Sequence, residues 1–476
     1  MISAIKQLTR QTAVYGAGTV LTRLVTFLLL PLFTHVLTPQ EYGLVTLVYV
    51  FLGFMNIVYH YGLDSAFMRY ASDTRDPDER RRFFSSALWL SLGSSALLSL
   101  LIIAGAEFLA GALLGNPIYT HLFTLAAGIL FLDALSHVPF ALLRLRDKAG
   151  LFVVIKFINV IATLGLNIYL VAILKRGITG IFASALIASV VTAVLVLGVS
   201  LPLIRLTFSR EMARKLLRFG LPFVPAGLAS IAMEMIDRYL LALLKDTATV
   251  GIYTAGYKLG IFMLLLTAAF HYAWQPFFLR LGKKEESRPV FARVFTYFVF
   301  AALLVWVTIS NFVHEVIHIR LFGYSLIGPD FYEAESIVPI ILMAYVFQGV
   351  YLNFLPGIYF EKKTHMIPLI TGAGALVNAG LNLLLIPPYG MMGAALATVA
   401  AYVTMAVAAF VASRPLFSVP YEWSRVVRIV ISLVVAVSVV IAFGQDALVK
   451  LAGVVVYVLL AWVLKGVPLK ETRPLA

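Results

Sequence analysis

The sequence predicts an all-α, polytopic membrane protein with about fourteen transmembrane helices. Of its 476 residues, 61% are hydrophobic and only 13% are charged, and the mean hydropathy is +0.95. Soluble globular proteins are nearer half apolar and a quarter charged, so this chain has too little polar surface to cover itself in water. Hydrocarbon is therefore predicted to be its main solvent.

Fourteen segments are long and apolar enough to form spanning helices, each of which needs about 20 such residues. The eighth segment carries Pro276, so we expect that helix to kink or to emerge early. Almost no loop between the segments is long enough to fold as a separate domain. The predicted spans are residues 12–37, 42–67, 83–111, 117–143, 150–174, 177–203, 219–244, 249–279, 290–319, 334–360, 366–387, 390–413, 425–444 and 447–465.

The basic residues give this map an orientation. With the N-terminus placed inside, 28 of the 37 Lys and Arg residues fall in cytoplasmic loops and termini, 5 fall outside and 4 lie within spans. Lys and Arg accumulate in cytoplasmic loops, so this bias fits the map and predicts that both termini are cytoplasmic. The same rule accounts for the net charge of +14, so no nucleic-acid partner is expected.

The sequence lacks the residues that many catalytic and metal sites require. It has no cysteine, which excludes disulfides, thiolate metal sites and cysteine nucleophiles. It has no Gly-Lys-Ser/Thr loop to cradle phosphates, so the chain is not expected to power itself with ATP. The longest predicted outer segment, about residues 320–333, is shorter than the external loop that a membrane glycosyl ligase or polymerase usually needs. We therefore expect a protein that is not an enzyme and that uses no metal and no cofactor.

One sequence motif occurs twice. Residues 166–171, followed by the glycines of residues 177–180, resemble residues 381–386, followed by the glycines of residues 390–393. Each copy lies at the outer hairpin of a pair of spans, the fifth and sixth in one case and the eleventh and twelfth in the other. The alternative is that Gly and Leu recur by chance in membrane hairpins.

A weaker similarity links residues 41–43 with residues 250–253. Six spans separate the members of each pair, and because six is even, the two halves enter the membrane in the same sense. Parallel repeats of this kind are a common transporter architecture, in which the substrate is handled between the halves. The predicted divisions are a six-helix bundle of residues 1–204, a second of residues 205–415, and two additional helices with a cytoplasmic tail in residues 416–476.

Charged residues inside the predicted spans are candidate site residues, because each costs roughly 2.5–3.5 kcal/mol at the bilayer centre on insertion scales. Arg23 is nearly central in the first span and stays protonated, which suits a phosphate in a central cavity. An ion pair with a carboxylate on another span is the alternative.

Arg238 has Asp237 beside it and Glu234 one turn before it, so Glu234 and Arg238 could neutralise each other. Lys258 has no carboxylate three or four residues away, and with the two arginines it would make a lumen cationic.

A second candidate site lies in the fourth span. Asp133 is near its middle, and His137 follows one turn later on the same face. Such a pair could carry a proton or coordinate a cation, because His titrates in the physiological range. Alternatively, Asp133 is the structural counter-charge of a basic residue. Asp64 and Lys156 lie near the cytoplasmic edge of their spans, where snorkelling suffices.

Further polar residues within the spans are expected to serve helix packing or to line a lumen. They are Asn56, His60, His271, Gln275, Gln348, Asn353, Asn378 and Asn382.

Four of these motifs together resemble one known family. They are residues 23–43, residues 143–148 after the fourth span, residues 236–258, and residues 378–395 in the hairpin of the eleventh and twelfth spans. In this order they are similar to the polysaccharide-transport (Wzx-type) oligosaccharide flippases of the multidrug/oligosaccharidyl-lipid/polysaccharide (MOP) exporter superfamily. The resemblance covers roughly residues 10–415, so the last two spans are a departure from the many members that have twelve.

The resemblance implies two six-helix bundles around a V-shaped central cavity that opens alternately to each side of a bacterial plasma membrane. It implies a polyprenyl-diphosphate-linked oligosaccharide as the substrate, carried from the cytoplasmic to the outer leaflet for cell-surface polysaccharide synthesis. The diphosphate would meet Arg23, Arg238 and Lys258, while Asp133 and His137 would couple an ion. Membrane lipids, a polysaccharide polymerase and glycosyltransferases are the other implied partners, and the chain is expected to act as a monomer.

Three alternatives stay open at this point. A multidrug/cation antiporter of the same superfamily would need an acidic lumen for its cationic substrates, against which the basic residues argue. A membrane-embedded glycosyl ligase or polymerase would form product without a second compartment. A structural scaffold of a polysaccharide assembly complex would tolerate substitutions in the lumen.

Overall fold

The computed structural model describes residues 27–74, 76–321, 323–444 and 446–467, and these residues are almost entirely helical. The α-helices are α1 (Phe27–Val36), α2 (Pro39–His60), α3 (Leu63–Asp73), α4 (Pro77–Ala104), α5 (Ala106–Leu114), α6 (Thr120–Leu145), α7 (Ala149–Asn167), α8 (Gly177–Ser200), α9 (Arg210–Gly220), α10 (Phe223–Leu244), α11 (Thr247–Leu259), α12 (Ile261–Leu281), α13 (Arg288–His318), α14 (Val338–Asn353), α15 (Pro356–Phe360), α16 (Met366–Tyr389), α17 (Met391–Ser413), α18 (Trp423–Phe443) and α19 (Ala447–Val463). Short 3-10 turns, one π-helical segment and two antiparallel two-residue strands complete the list: Pro117–Tyr119, Leu201–Leu203, Glu285–Ser287, Pro329–Ile337, Ile168–Ile173, β1 (Arg320–Leu321) and β2 (Tyr324–Ser325).

The described helices agree with the predicted spans. Eleven helical segments in the described part of the chain are long and apolar enough to cross a membrane, or twelve if α9 and α10, which meet at a bend of 41°, form one span. The helices α1 and α19 are apolar but shorter. Each of the fourteen predicted spans overlaps one of these helices, in order, and the β1–β2 hairpin lies in the longest predicted outer segment. The prediction of an all-α polytopic membrane protein is confirmed.

Polar side chains fix where several helices begin. At the start of α2, Thr38 accepts the backbone N–H of Glu41 at 3.2 Å, and the Glu41 carboxylate accepts the backbone N–H of Thr38 at 2.9 Å. At the start of α11, Asp246 accepts the N–H of Thr249 at 2.7 Å. These contacts satisfy amide groups that have no partner within the first helical turn.

The eighth predicted span is interrupted at a glycine. Its helix breaks at Gly260, between α11 and α12, whereas Pro276 lies inside α12. A Cβ on Gly260 would lie 2.8 Å from the Ile341 side chain, so α14 approaches the break more closely than any side chain would allow. The need for a glycine at this position therefore depends on tertiary packing, which a hydropathy pattern does not contain.

The chain forms two compact units, and the division falls within α11, between Thr254 and Ala255. In the first unit, aromatic and aliphatic side chains of α3, α4, α6 and α9 form a buried cluster that includes Phe67, Phe84 and Leu216. In the second unit, a largely aromatic cluster holds α12 and α13 together with the segment after α17. The predicted division into residues 1–204, 205–415 and 416–476 remains a prediction.

The two copies of the hairpin motif share one close backbone contact. In the first unit, a Cβ on Gly180 would lie 3.2 Å from the carbonyl oxygen of Leu170. In the second unit, a Cβ on Gly393 would lie 2.2 Å from the carbonyl oxygen of Leu385. These positions correspond to each other in the sequence repeat, so in both hairpins a glycine lets the returning helix approach the same point of its neighbour. The first glycine of each motif also has a positive φ, 53° in one and 56° in the other.

The weaker sequence similarity has a structural counterpart as well. The first turns of α2 and α11 contact each other within the first unit. A Cβ on Gly43 would lie 1.8 Å from the carbonyl oxygen of Thr247, and a Cβ on Gly251 would lie 2.0 Å from that of Pro39. Gly43 follows Pro39 by four residues, and Gly251 follows Thr247 by four residues. The two glycines are therefore equivalent to each other, as are Pro39 and Thr247, and the contact is reciprocal.

Candidate functional site

The structure describes four of the five predicted site residues. Arg23 lies outside the described residues. Lys258 is half-buried in the last turn of α11 and belongs to the second unit, whereas Arg238 on α10 belongs to the first. Asp133 and His137 both lie on α6 in the first unit. The described residues therefore form two polar groups in the first unit, one around Arg238 and one around Asp133.

Arg238 is the centre of a buried polar group. It is 7% exposed, and its guanidinium Nη1 donates to the Asp237 carboxylate at 2.8 Å. The Tyr253 hydroxyl of α11 donates to the other oxygen of the same carboxylate at 2.5 Å, and the Tyr253 ring lies 5.6 Å from the guanidinium carbon. Asp237 is 1% exposed, so the charge of the arginine is balanced inside the protein and its orientation is fixed.

The expected neutralisation of Arg238 by the Glu234 carboxylate is not what the structure shows. The guanidinium donates to the backbone carbonyl oxygen of Glu234 at 2.5 Å, and the Glu234 side chain is exposed. Residues one apart on a helix do not normally face each other. Here Tyr253 draws the Asp237 carboxylate to the side on which Arg238 lies, and this contact between α10 and α11 was not visible in the helical spacing.

The group around Asp133 connects five helices, α2, α3, α6, α7 and α8. The Ser189 hydroxyl of α8 donates to the Asp133 carboxylate at 2.8 Å. One turn along α6, the imidazole ring of His137 lies against that of His60 at the end of α2, with 3.2 Å between the ring centroids. The Nε2 atom of His60 is buried and has no hydrogen-bond partner among the described residues.

Basic residues complete this group. Lys156 of α7 interacts electrostatically with Asp133, and its ammonium lies 4.6 Å from the centroid of the Phe140 ring. Arg144 of α6 forms an ion pair with Asp64 of α3 at 3.1 Å. Lys156 and Asp64 thus both interact with charged groups of α6, while their expected position near the cytoplasmic edge stays a prediction.

Two acids, two bases and two imidazoles thus lie together in the first unit. Such a group can bind or pass a proton, because imidazole and carboxylate groups both accept protons, and the nearby ammonium and carboxylate influence which of them is charged. Sequence reasoning found Asp133 and His137 but assigned His60 only to packing or a lumen. One signal was available. His137 precedes the end of its helix at Leu145 by eight residues and Lys156 follows the start of the next helix by seven, so the two lie at similar depth.

No set of three His, Cys, Asp or Glu side chains in the described ranges is arranged to hold a metal ion.

Comparisons with known proteins agree with the fold and with the sequence motifs. A family model described as polysaccharide biosynthesis protein matches residues 32–323, which is more than half of the chain. No curated protein matches the sequence.

Several solved structures share the fold. The lipid II flippase MurJ in an inward closed conformation has a TM-score of 0.75 at 15% identity, over 94% of this chain and 97% of that one. An inward-facing multidrug resistance MATE family transporter of the MOP superfamily has a TM-score of 0.65 at 16% identity, over 85% and 94% of the two chains. The Vibrio cholerae MATE transporter VcmN has a TM-score of 0.58 at 16% identity, over 87% and 97%.

The family match confirms the expected link to polysaccharide biosynthesis, and the solved structures confirm the predicted fold. The chain is a multi-pass membrane protein that belongs to the polysaccharide biosynthesis protein family.

Proposed function

We propose that this protein is a flippase that moves a polyprenyl-diphosphate-linked oligosaccharide from the cytoplasmic to the outer leaflet of a bacterial plasma membrane. One observation carries the proposal: a member of a polysaccharide biosynthesis family has, over 94% of its length, the fold of a protein named as a lipid flippase. Polysaccharide synthesis across a membrane requires that a hydrophilic saccharide crosses an apolar layer. A carrier that shields the headgroup while the lipid chain stays in the bilayer meets this requirement.

In this proposal the chain works by alternating access, with both termini in the cytoplasm, and is not an enzyme. Arg23, Arg238 and Lys258 bind the diphosphate. Arg238 supplies an oriented guanidinium whose charge Asp237 already balances, so its contribution is directional hydrogen bonding more than net charge. Lys258 and Arg23 are the two further cationic groups of this proposed site, and a cation attracts the diphosphate. The protein acts as a monomer and receives its substrate from glycosyltransferases and delivers it to a polymerase.

The group around Asp133 and His137 couples transport to an ion gradient in this proposal. A proton taken up at one side of the membrane would alter the balance between Asp133, Lys156 and the adjacent imidazoles, which together belong to α2, α6 and α7. Such a change can bias one arrangement of the helices over another.

The substrate is tested by transport in proteoliposomes with a defined polyprenyl-diphosphate oligosaccharide. We expect Arg23→Ala to abolish transport and to prevent complementation of a flippase-deficient polysaccharide strain while the protein stays in the membrane. Arg320→Ala, at an exposed arginine of the predicted outer hairpin, is the matched control and should transport normally. Full activity of Arg23→Ala would remove Arg23 from the mechanism.

The same assay separates the alternatives. Export of cationic drugs without transport of the lipid-linked donor would indicate the antiporter. Product formed from that donor in detergent, where no second compartment exists, would indicate a ligase or polymerase. Normal transport by variants of all three basic residues would favour a scaffold.

Coupling is tested by imposing a pH gradient on the proteoliposomes. Asp133→Asn should make the transport rate insensitive to the gradient, because the carboxylate that exchanges a proton is lost. Ser189→Ala removes only the hydrogen bond to that carboxylate and should keep a response. An unchanged response in Asp133→Asn would exclude this residue from coupling.

A further inference from the structure

The second unit contains a cavity of about 330 Å³ where α14 and α17 end and α18 begins. Five of the ten residues that line it are aromatic: Phe354, Phe410, Phe417, Tyr421 and Trp423. None of the motifs that identify the family contributes these residues, and the proposed transport mechanism does not use them.

The aromatic wall is held in place by its own contacts. The Tyr421 ring lies 5.1 Å from that of Phe354 and 5.8 Å from that of Trp423. Phe417 is 4% exposed and packs against Phe360 at 5.2 Å. A Cβ on Gly357 would lie 2.3 Å from the hydroxyl of Ser413, which lines the cavity, so α15 approaches this wall closely. The cavity is therefore preformed, as small-molecule sites usually are.

The polar groups of the cavity are basic or neutral. Arg414 lines it, is exposed and forms no ion pair with a carboxylate in the described part of the chain. No acidic residue lines the cavity. The nearest acid in the sequence, Glu422, accepts a hydrogen bond from Thr296 at 2.8 Å and pairs with Arg425 at 3.5 Å. Burial raises the pKa of the Tyr421 hydroxyl, so this group stays protonated and can donate a hydrogen bond.

The position of the cavity and its lining favour an amphiphile. It opens at the ends of spanning helices, where Trp and Tyr side chains with basic neighbours mark the membrane–water interface. Aromatic faces accommodate an apolar chain, and the unpaired guanidinium of Arg414 matches a phosphate. A volume of about 330 Å³ is at the small end of the range for ligand pockets, enough for a headgroup and a few carbons but not for an oligosaccharide.

We propose that this cavity binds the phosphate-bearing end of a membrane lipid, with the phosphate on Arg414 and the first carbons of the chain against the aromatic wall. Two sources share this chemistry, an isoprenoid phosphate and a glycerophospholipid. The site is separate from the proposed diphosphate-binding residues and does not depend on what the protein transports.

Calorimetric titration of the purified full-length protein in a neutral detergent tests the proposal, with farnesyl phosphate, farnesol and inorganic phosphate as probes. Farnesyl phosphate should bind, and Arg414→Gln should weaken it about tenfold or more, because a charge-assisted hydrogen bond is lost. Farnesol should bind weakly and equally to both proteins. Arg218→Gln, at an exposed arginine of the first unit, is the matched control and should bind farnesyl phosphate as the unsubstituted protein does.

A second variant tests the cavity without changing its charge. Ser418 is exposed at the mouth, so Ser418→Phe should fold normally and block farnesyl phosphate. Competition by a short-chain phosphatidic acid would assign the site to phospholipids, and its failure would assign it to isoprenoid phosphates. Unchanged binding in Arg414→Gln would overturn the proposal, as would inorganic phosphate binding as tightly as farnesyl phosphate. Transport assays are independent of these results, so a failed flippase proposal would leave them unaffected.

Discussion

The buried pair of Asp237 and Arg238 gives a quantitative prediction. Removing one member leaves the other charged and buried, which costs about 3–5 kcal/mol, so Asp237→Leu and Arg238→Met should each lower the free energy of unfolding by that amount. Replacing both by apolar residues leaves no unpaired charge, and the double variant should lie within about 1–2 kcal/mol of the unsubstituted protein. Tyr253→Phe removes one hydrogen bond to a charged group and should cost about 1.5–3 kcal/mol.

The coupling is measured on the unsubstituted protein, the two single variants of Asp237 and Arg238, and the double variant. Each is unfolded by a denaturing detergent and followed by circular dichroism. If the two single costs simply add in the double variant, the pair is not a coupled buried unit and the reasoning is refuted. The double variant also separates structure from function. A stable double variant that no longer transports would show that Arg238 acts on the substrate, whereas a stable and active one would reduce Arg238 to a structural role.

Two further predictions concern packing. Gly393→Ala should destabilise the second unit, because its Cβ would lie 2.2 Å from a backbone oxygen. Gly380→Ala, whose Cβ would have no atom within 4 Å, should be neutral or stabilising by up to about 1 kcal/mol. The thermal unfolding midpoints of the two variants measure this difference. Lys450 of α19 is 3% exposed and pairs with Glu315 of α13 at 2.7 Å. Lys450→Met should leave an unpaired acid and weaken the docking of α19, and faster proteolysis after residue 443 would report this. A second substitution, Glu315→Gln, in the same chain should largely restore protection from proteolysis.

The sequence predicted the number and order of the spans because hydropathy is a local property that each helix carries by itself. It did not locate the break in the eighth span at Gly260. This glycine packs closely against Ile341 of α14, about 80 residues away in the chain, and hydropathy does not report such contacts. The same distinction holds for the hairpin glycines. Their recurrence was visible in the sequence, but the reason for it, a close backbone contact, required the fold.

For the candidate site, the sequence likewise predicted what lies within one helix and not the contacts between helices. Asp133 and His137 were found because they lie one turn apart on one helix, which spacing reveals. Their partners His60 and Lys156 lie on other helices, and no periodic signal pairs residues between helices. For Arg238 the spacing pointed to Glu234, whereas the pairing with Asp237 depends on a tyrosine of α11.

The reciprocal contact between the first turns of α2 and α11 bears on how such a chain arose. Gly43 touches Thr247 while Gly251 touches Pro39, and each residue stands where its counterpart does in the other half of the repeat. This is the pattern of an isologous interface, in which residue i of one subunit meets residue j of the other and the reverse also holds. A chain of half this length could have made the same contact with a second copy of itself.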